Sequence, residues 1–193
     1  MISAIILAAG ESKRMGQPKM LLPWGKTSVL GQVISIFQEA GIEQITVVTG
    51  GAHEQVKQVV KQYGAHAVFN RDFASGEMLS SLQLGIGVQP SQVQATLIGL
   101  GDQPQIQAAT VRLICETFWE KRSSLIVPSF QMRRGHPWLV KRSLWRELLK
   151  MKSPQSPRDF LNQHTSEIDY IEIRTPSVLA DLDTPEDYQK SQP

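Results

Sequence analysis

Residues 5–19, Ile-Ile-Leu-Ala-Ala-Gly-Glu-Ser-Lys-Arg-Met-Gly-Gln-Pro-Lys, join a short apolar run to a glycine-bounded loop carrying three cations, Lys13, Arg14 and Lys19. A loop of this kind can cradle the phosphates of a nucleotide. Ala8, Ala9 and Gly10 are small enough for a ligand to approach the backbone, and Gly16 can take the positive φ that a wrap-around needs. Successive backbone N–H groups can then face phosphate oxygens. Arg14 offers a planar fork, whereas Lys13 and Lys19 are mobile point charges. Two commoner glycine loops do not fit. Five residues separate Gly10 from Gly16 and Gln17-Pro18 follows, so there is no P-loop. Nor is there a G-x-G-x-x-G dinucleotide fingerprint.

The carboxylates complement this loop. Asp102 follows the apolar run Val93 to Leu100, at what should be the carboxyl end of a strand, where open α/β sheets bind ligands. Mg²⁺ usually takes one or two protein carboxylates together with substrate phosphates and water. Asp102 is the first candidate ligand. Asp181 and Asp183 flank Leu182, and residues two apart in an extended segment share a face, so spacing alone does not choose between them. No nucleophile, base and orienting group recur together. Cationic positioning with metal carboxylates suits phosphoryl chemistry, in which positioning and charge neutralisation are the main requirements. His53, His66 and His164 lack metal-ligand spacing.

Four motifs extend this reading: Leu7 to Pro23 (L-A-A-G-E-S-K-R-M-G-Q-P-K-M-L-L-P), Gly101-Asp-Gln-Pro104, Arg134-Gly-His-Pro137 and Asp181-Leu-Asp-Thr-Pro-Glu-Asp187. In this order they resemble the nucleotidyltransferases that activate phosphorylated small molecules, most closely the molybdenum cofactor cytidylyltransferases. The resemblance implies an α/β, three-layer Rossmann-like nucleotidyltransferase fold with a mostly parallel sheet. It also implies Mg²⁺-dependent transfer of CMP from CTP to molybdopterin or its molybdenum form, with release of pyrophosphate. Arg14, Lys19 and Asp102 would be catalytic. The nucleotide would meet Leu7, Ala8, Ala9, Gly10, Ser12, Arg14, Lys19, Ser80, Ser81 and Asp102. Arg134 and His136 would contact the acceptor, and Asp102 and Asp183 would bind the metal, with Asp181 the alternative to Asp183. Gly76-Glu-Met-Leu-Ser-Ser-Leu82 resembles the segment beside the base and ribose, although many relatives have a compact Gly-Met there. Ser156-Pro-Arg-Asp159 departs from the glycine-rich segment of relatives, leaving the acceptor pocket open. A molybdenum hydroxylase would be the client. Two other readings stand beside this one: a transferase of the same fold using another NTP and a sugar- or alcohol-phosphate acceptor, and a noncatalytic cofactor-handover protein.

Composition limits the alternatives. With 41% hydrophobic residues and 20% charged, the chain can build a core and one domain spanning residues 1–193 is expected, with about 128–165 an acceptor-side insertion or lid. A net charge of +2 without an aromatic-basic stripe argues against nucleic acid. No apolar run is long enough for a bilayer, and the first residues lack the basic region of a secretory signal, so a cytoplasmic protein is expected. Between Arg133 and Lys152, seven basic residues face one acid, which suits either a second phosphorylated ligand or a solvated helix face. Trp138 suits either a pterin stack or the core, and Cys115 is read as a core residue.

Strand and helix signals alternate. Apolar runs predict strands at Ser3–Ala8, Ile45–Thr49, His66–Phe69, Val93–Leu100 and Leu125–Val127, with a late strand at Tyr170–Ile173. Helices are predicted from Thr27 or Ser28 to Gly41 and over Glu54–Tyr63, Met78–Val88, Ala108–Lys121 and Leu144–Leu149. The 130–140 stretch reads as an irregular hairpin. Thr184-Pro185 opens a last helix, Asp187 reaching back to its cap.

Overall fold

The computed structural model describes residues 1–75 and 78–193. Its strands are β1 (Ile2–Ala8), β2 (Pro23–Trp24), β3 (Thr27–Ser28), β4 (Ile45–Thr49), β5 (His66–Phe69), β6 (Ala95–Leu100), β7 (Leu125–Phe130), β8 (Arg133–Arg134), β9 (Trp138–Lys141) and β10 (Ile168–Glu172). Its α-helices are α1 (Val29–Glu39), α2 (His53–Gln62), α3 (Met78–Gly87), α4 (Ala108–Lys121), α5 (Trp145–Lys150), α6 (Pro157–Gln163) and α7 (Pro185–Ser191). The main sheet runs β10-β7-β9-β6-β1-β4-β5, with β8 paired to β7. All neighbours are parallel except β9, which is antiparallel to both β6 and β7, and β8, which folds back on β7.

The period of two along β1 divides the interior. Ile2, Ala4, Ile6 and Ala8 face the side covered by α1, α2 and α4, where Leu30, Ile34, Phe37, Val60, Ile114 and Phe118 are buried. Ile5 and Leu7 face α3, α5 and α6, which contribute Leu82, Ile86, Trp145, Leu148, Phe160 and Leu161. Helices therefore cover both faces of a mostly parallel sheet, as the resemblance implied. Ser28 caps α1 by accepting the Gly31 N–H, and Gly41 ends the segment at φ +88.

Two features differ from the sequence expectation. The 130–140 stretch is more than a hairpin, because β9 inserts between β6 and β7 and buries Trp138, Leu139 and Val140 completely. Trp138 packs on Phe160, 6.3 Å between ring centroids, and belongs to the core. The other is α6, for which no helix was anticipated. Ser156 accepts the Asp159 N–H while Asp159 accepts the Ser156 N–H, the same reciprocal box that Thr184 and Asp187 form at α7. Ser-Pro-x-Asp and Thr-Pro-x-Asp are the same signal, so the sequence did carry it. Cys115 sits at the margin of the core, half-buried, where burial pushes its thiol up to about 12.

The end of β4 nearly touches the loop that follows β1. A Cβ on Gly50 would lie 2.2 Å from the Ala9 carbonyl oxygen, so only glycine permits this approach. Gly50→Ala is expected to lose about 1–3 kcal/mol through overpacking, measured as a lower urea midpoint with an unchanged m-value.

Candidate active site

The site forms where β1 and β6 end side by side. Parallel register places Leu7 opposite Leu100, and the Gly101 N–H donates to the Leu7 carbonyl at 2.9 Å. Ala9 and Gly10 therefore emerge beside Gly101 and Asp102. The loop after β1 tightens into two single 3-10 turns, Lys13–Met15 and Lys19–Leu21, linked through Gly16 at φ +67. Ser12, itself left-handed at φ +54, accepts the Lys19 N–H on its hydroxyl at 3.1 Å and closes the loop. Met15 anchors it from beneath, in a small apolar cluster with Leu22, Trp24, Val29 and Leu182.

Leu182 brings the chain's C-terminal segment to the same place. Its N–H donates to the Asp102 carbonyl at 3.1 Å, and Gln103 Nε2 donates to Asp181 Oδ1 at 2.5 Å. Further along, Tyr188 of α7 tilts against Trp24, with ring centroids 6.5 Å apart, and its hydroxyl donates to the Pro23 carbonyl.

Charge balance follows from this convergence. Lys19 Nζ makes an ion pair with Asp102 and reaches Asp183 Oδ1 at 3.3 Å, while Arg14 Nη2 reaches Asp183 Oδ2 at 3.0 Å. Lys19 and Asp102 side chains are only 12% and 13% exposed, whereas Arg14 is 70% exposed. Burial alone would pull the Lys19 pKa down, but the Asp102 carboxylate, its hydrogen bond and Asp183 outweigh it, leaving the pKa above the ordinary 10.5. Lys19 is thus a fixed cation. The Asp181 pKa is raised as well, but here burial, then the charge of Asp102, disfavours the charged form, and the Gln103 hydrogen bond opposes them.

A cavity of about 490 Å³ opens over these groups. Of the residues singled out from sequence, Leu7, Ala9, Gly10, Ser12, Arg14, Lys19, Ser81, Asp102, Asp181 and Asp183 line it. Ala8 is buried behind it. Ser80 is not in the lining, and its hydroxyl and that of Ser81 accept from Asn70 Nδ2 at 3.0 and 2.9 Å. Gly76 and Glu77 lie outside the described residues.

Asn70 and Phe73 were not anticipated. Asn70 is 4% exposed and follows β5 directly; besides holding the two serines it accepts the Asp72 N–H on Oδ1. Phe73 lines the cavity. An asparagine immediately after a strand, ahead of Arg-Asp, was a readable turn signal.

Arg134 and His136 stand apart from the cavity lining. Arg134 spends its fork on neutral partners, donating to the Tyr170 hydroxyl at 2.9 Å, Asn162 Oδ1 at 2.7 Å and Thr165 Oγ1 at 3.1 Å. It ties β8 to α6 and β10. The His136 N–H donates to the Val178 carbonyl at 2.9 Å, and burial lowers the imidazole pKa from 6.5 to about 4. At pH 7 that ring is neutral.

Among the described residues, no group of three or more His, Cys, Asp or Glu side chains is arranged to hold a metal by itself. Asp102 and Asp183 nevertheless converge on one cation, the Lys19 ammonium. Two carboxylates meeting at one positive charge, beside room for phosphates, fit Mg²⁺ with its habit of keeping substrate and water ligands.

The MobA-like NTP transferase domain model matches residues 4–168. The chain is 30% identical over 191 residues to the molybdenum cofactor cytidylyltransferase of Escherichia coli K12, covering 97% of this chain and 93% of that protein. The crystal structure of Rv0371c from Mycobacterium tuberculosis H37Rv superposes with a TM-score of 0.85 at 27% identity, covering 98% of this chain and 96% of that one. A crystal structure of Rv0371c in complex with manganese superposes with a TM-score of 0.76 at 26% identity, with the same coverage.

The lowered pKa of His136 has a consequence for stability. Between pH 6.5 and about 4 the unfolded chain carries the proton and the folded chain does not, so this residue removes stability as pH falls through that window. His136→Gln is expected to flatten the drop in Tm between pH 6.5 and 4 relative to wild type, followed by calorimetry.

Proposed function

The chain belongs to the MobA-like NTP transferase family, and on that premise we propose that it transfers CMP from CTP to the phosphate of molybdopterin or molybdenum cofactor. The observation that carries the proposal is the meeting of Lys19, Arg14, Asp102 and Asp183 at the mouth of the cavity beside the Leu7 to Gly16 loop. The name of the Escherichia coli relative supports the base and acceptor, and the manganese complex of Rv0371c supports a divalent cation.

In this reading an acceptor phosphate oxygen attacks the α-phosphorus in line. A new P–O bond forms, the bond to the bridging α–β oxygen breaks, and pyrophosphate leaves with the electron pair. The nucleophile is already an anion, so no general base is needed. Lys19 and Arg14 bind the phosphates and balance charge developing on the leaving pyrophosphate. Backbone N–H groups of the loop orient the chain of phosphates. Asp102 and Asp183 would hold Mg²⁺, which when bound neutralises phosphate charge. Segment 128–165 forms the acceptor side, where Arg134 acts by fixing β8 against α6 and the neutral His136 offers a hydrogen bond.

Pyrophosphate release from CTP, GTP, ATP and UTP with Mg²⁺, with and without molybdopterin, tests this directly. Release is expected with CTP only when molybdopterin is present; release with a different NTP or a sugar phosphate would replace the base or acceptor and retain the chemistry. Asp102→Asn should lower the rate by about 100-fold or more. Lys19→Ala should weaken CTP binding and slow turnover together, and wild-type values for both would remove Lys19 from the phosphate site.

A further inference from the structure

We propose that Gln103 and Asp181 form a clamp that sets the spacing of the two metal carboxylates, making Asp181 a positioning residue and leaving ligation to Asp102 and Asp183. The inference rests on the metal role proposed above for Asp102 and Asp183. Asp102 stands on the turn after β6, but Asp183 arrives from a segment about eighty residues later in the chain. Two bonds join those segments. One is backbone, from the Leu182 N–H to the Asp102 carbonyl; the other is the side-chain bond from Gln103 Nε2 to Asp181 Oδ1. Leu182 is itself fully buried, and Asp183 pairs with Lys19 and Arg14, so residues 181–183 are held at three successive positions.

The side chains divide by direction. Asp183 meets Lys19 and Arg14, the charges that also serve the phosphates, whereas Asp181 has an oxygen committed to Gln103. Gln103 is 1% exposed, and its Oε1 is buried with no hydrogen-bond partner. An orphaned buried acceptor costs stability. Leucine at this position would leave no such orphan, so stability alone does not account for an amide here. The amide supplies the donor to Asp181.

The test reads Mn²⁺ affinity in the presence of CTP, by electron paramagnetic resonance of free Mn²⁺. Asp181→Asn removes the charge and any ligation by that carboxylate while keeping an oxygen for Gln103 Nε2. It is expected to bind Mn²⁺ within about threefold of wild type. Asp181→Ala and Gln103→Leu are each expected to weaken Mn²⁺ about tenfold, and the double variant by no more than either, since both remove one bond. CTP affinity without metal should stay at the wild-type value in all of them, which a general loss of structure would not allow. If Asp181→Asn falls as far as Asp181→Ala, Asp181 acts through its charge or as a ligand and the clamp is overturned. If wild type takes up no Mn²⁺ with CTP, GTP, ATP or UTP, the metal reading falls and takes the clamp with it.

Discussion

An ammonium and a carboxylate paired in a corner largely closed to water, Lys19 with Asp102, and a second, half-exposed carboxylate beside them, Asp183, are the constraint around which this molecule is arranged. Unpaired, either of the first two would bear the full cost of desolvation, so their partners must be placed well. Lys19 supplies one charge to two acids, and Arg14 shares the more exposed one. The sheet supplies the precision. Asp102 is located by the parallel register of β1 and β6, and Lys19 by a loop that starts one residue beyond β1 and closes on Ser12.

The C-terminal segment completes the site without joining the main sheet after β10. Leu182 enters the small apolar cluster that contains Met15 of the loop after β1, and Tyr188 packs against Trp24 in the same cluster. The cluster thus fastens the loop and the second acidic segment to one another. Packing in this cluster and charge placement above it are mechanically one unit, which explains why Met15 and Leu182, chemically inert themselves, are buried beside reactive groups. On the other flank, the bonds from Asn70 to Ser80 and Ser81 join the end of β5 to the first turns of α3.

Cations with polar partners take two different roles here. Lys19 and Arg14 answer carboxylates, Asp102 and Asp183. Arg134 is satisfied by a phenol, an amide and a hydroxyl and keeps its charge while its fork is occupied. Arginine therefore meets carboxylate oxygen at position 14 and neutral polar groups at position 134, a difference set by the tertiary neighbours of each.

Local chemistry made much of this legible in the sequence. Apolar period, the caps at Ser28 and Thr184 and the glycine at 41 placed most elements within a few residues, since those signals act over one or two turns of chain. The motifs likewise singled out the loop after β1 and Asp102, which the fold brings to one cavity. The short β9 was not legible as a central antiparallel strand, because four residues of apolar pattern do not specify a neighbour or a direction. Nor did spacing separate Asp181 from Asp183, because an extended segment would place residues two apart on one face. That distinction came from tertiary contacts: Gln103 meets Asp181 and Lys19 meets Asp183, 78 and 164 positions apart in the chain. Residue types and short-range order determined which chemistry was available; strand register and the docking of the C-terminal segment decided which side chains face one another, because electrostatic partnership depends on distance in space and not along the chain.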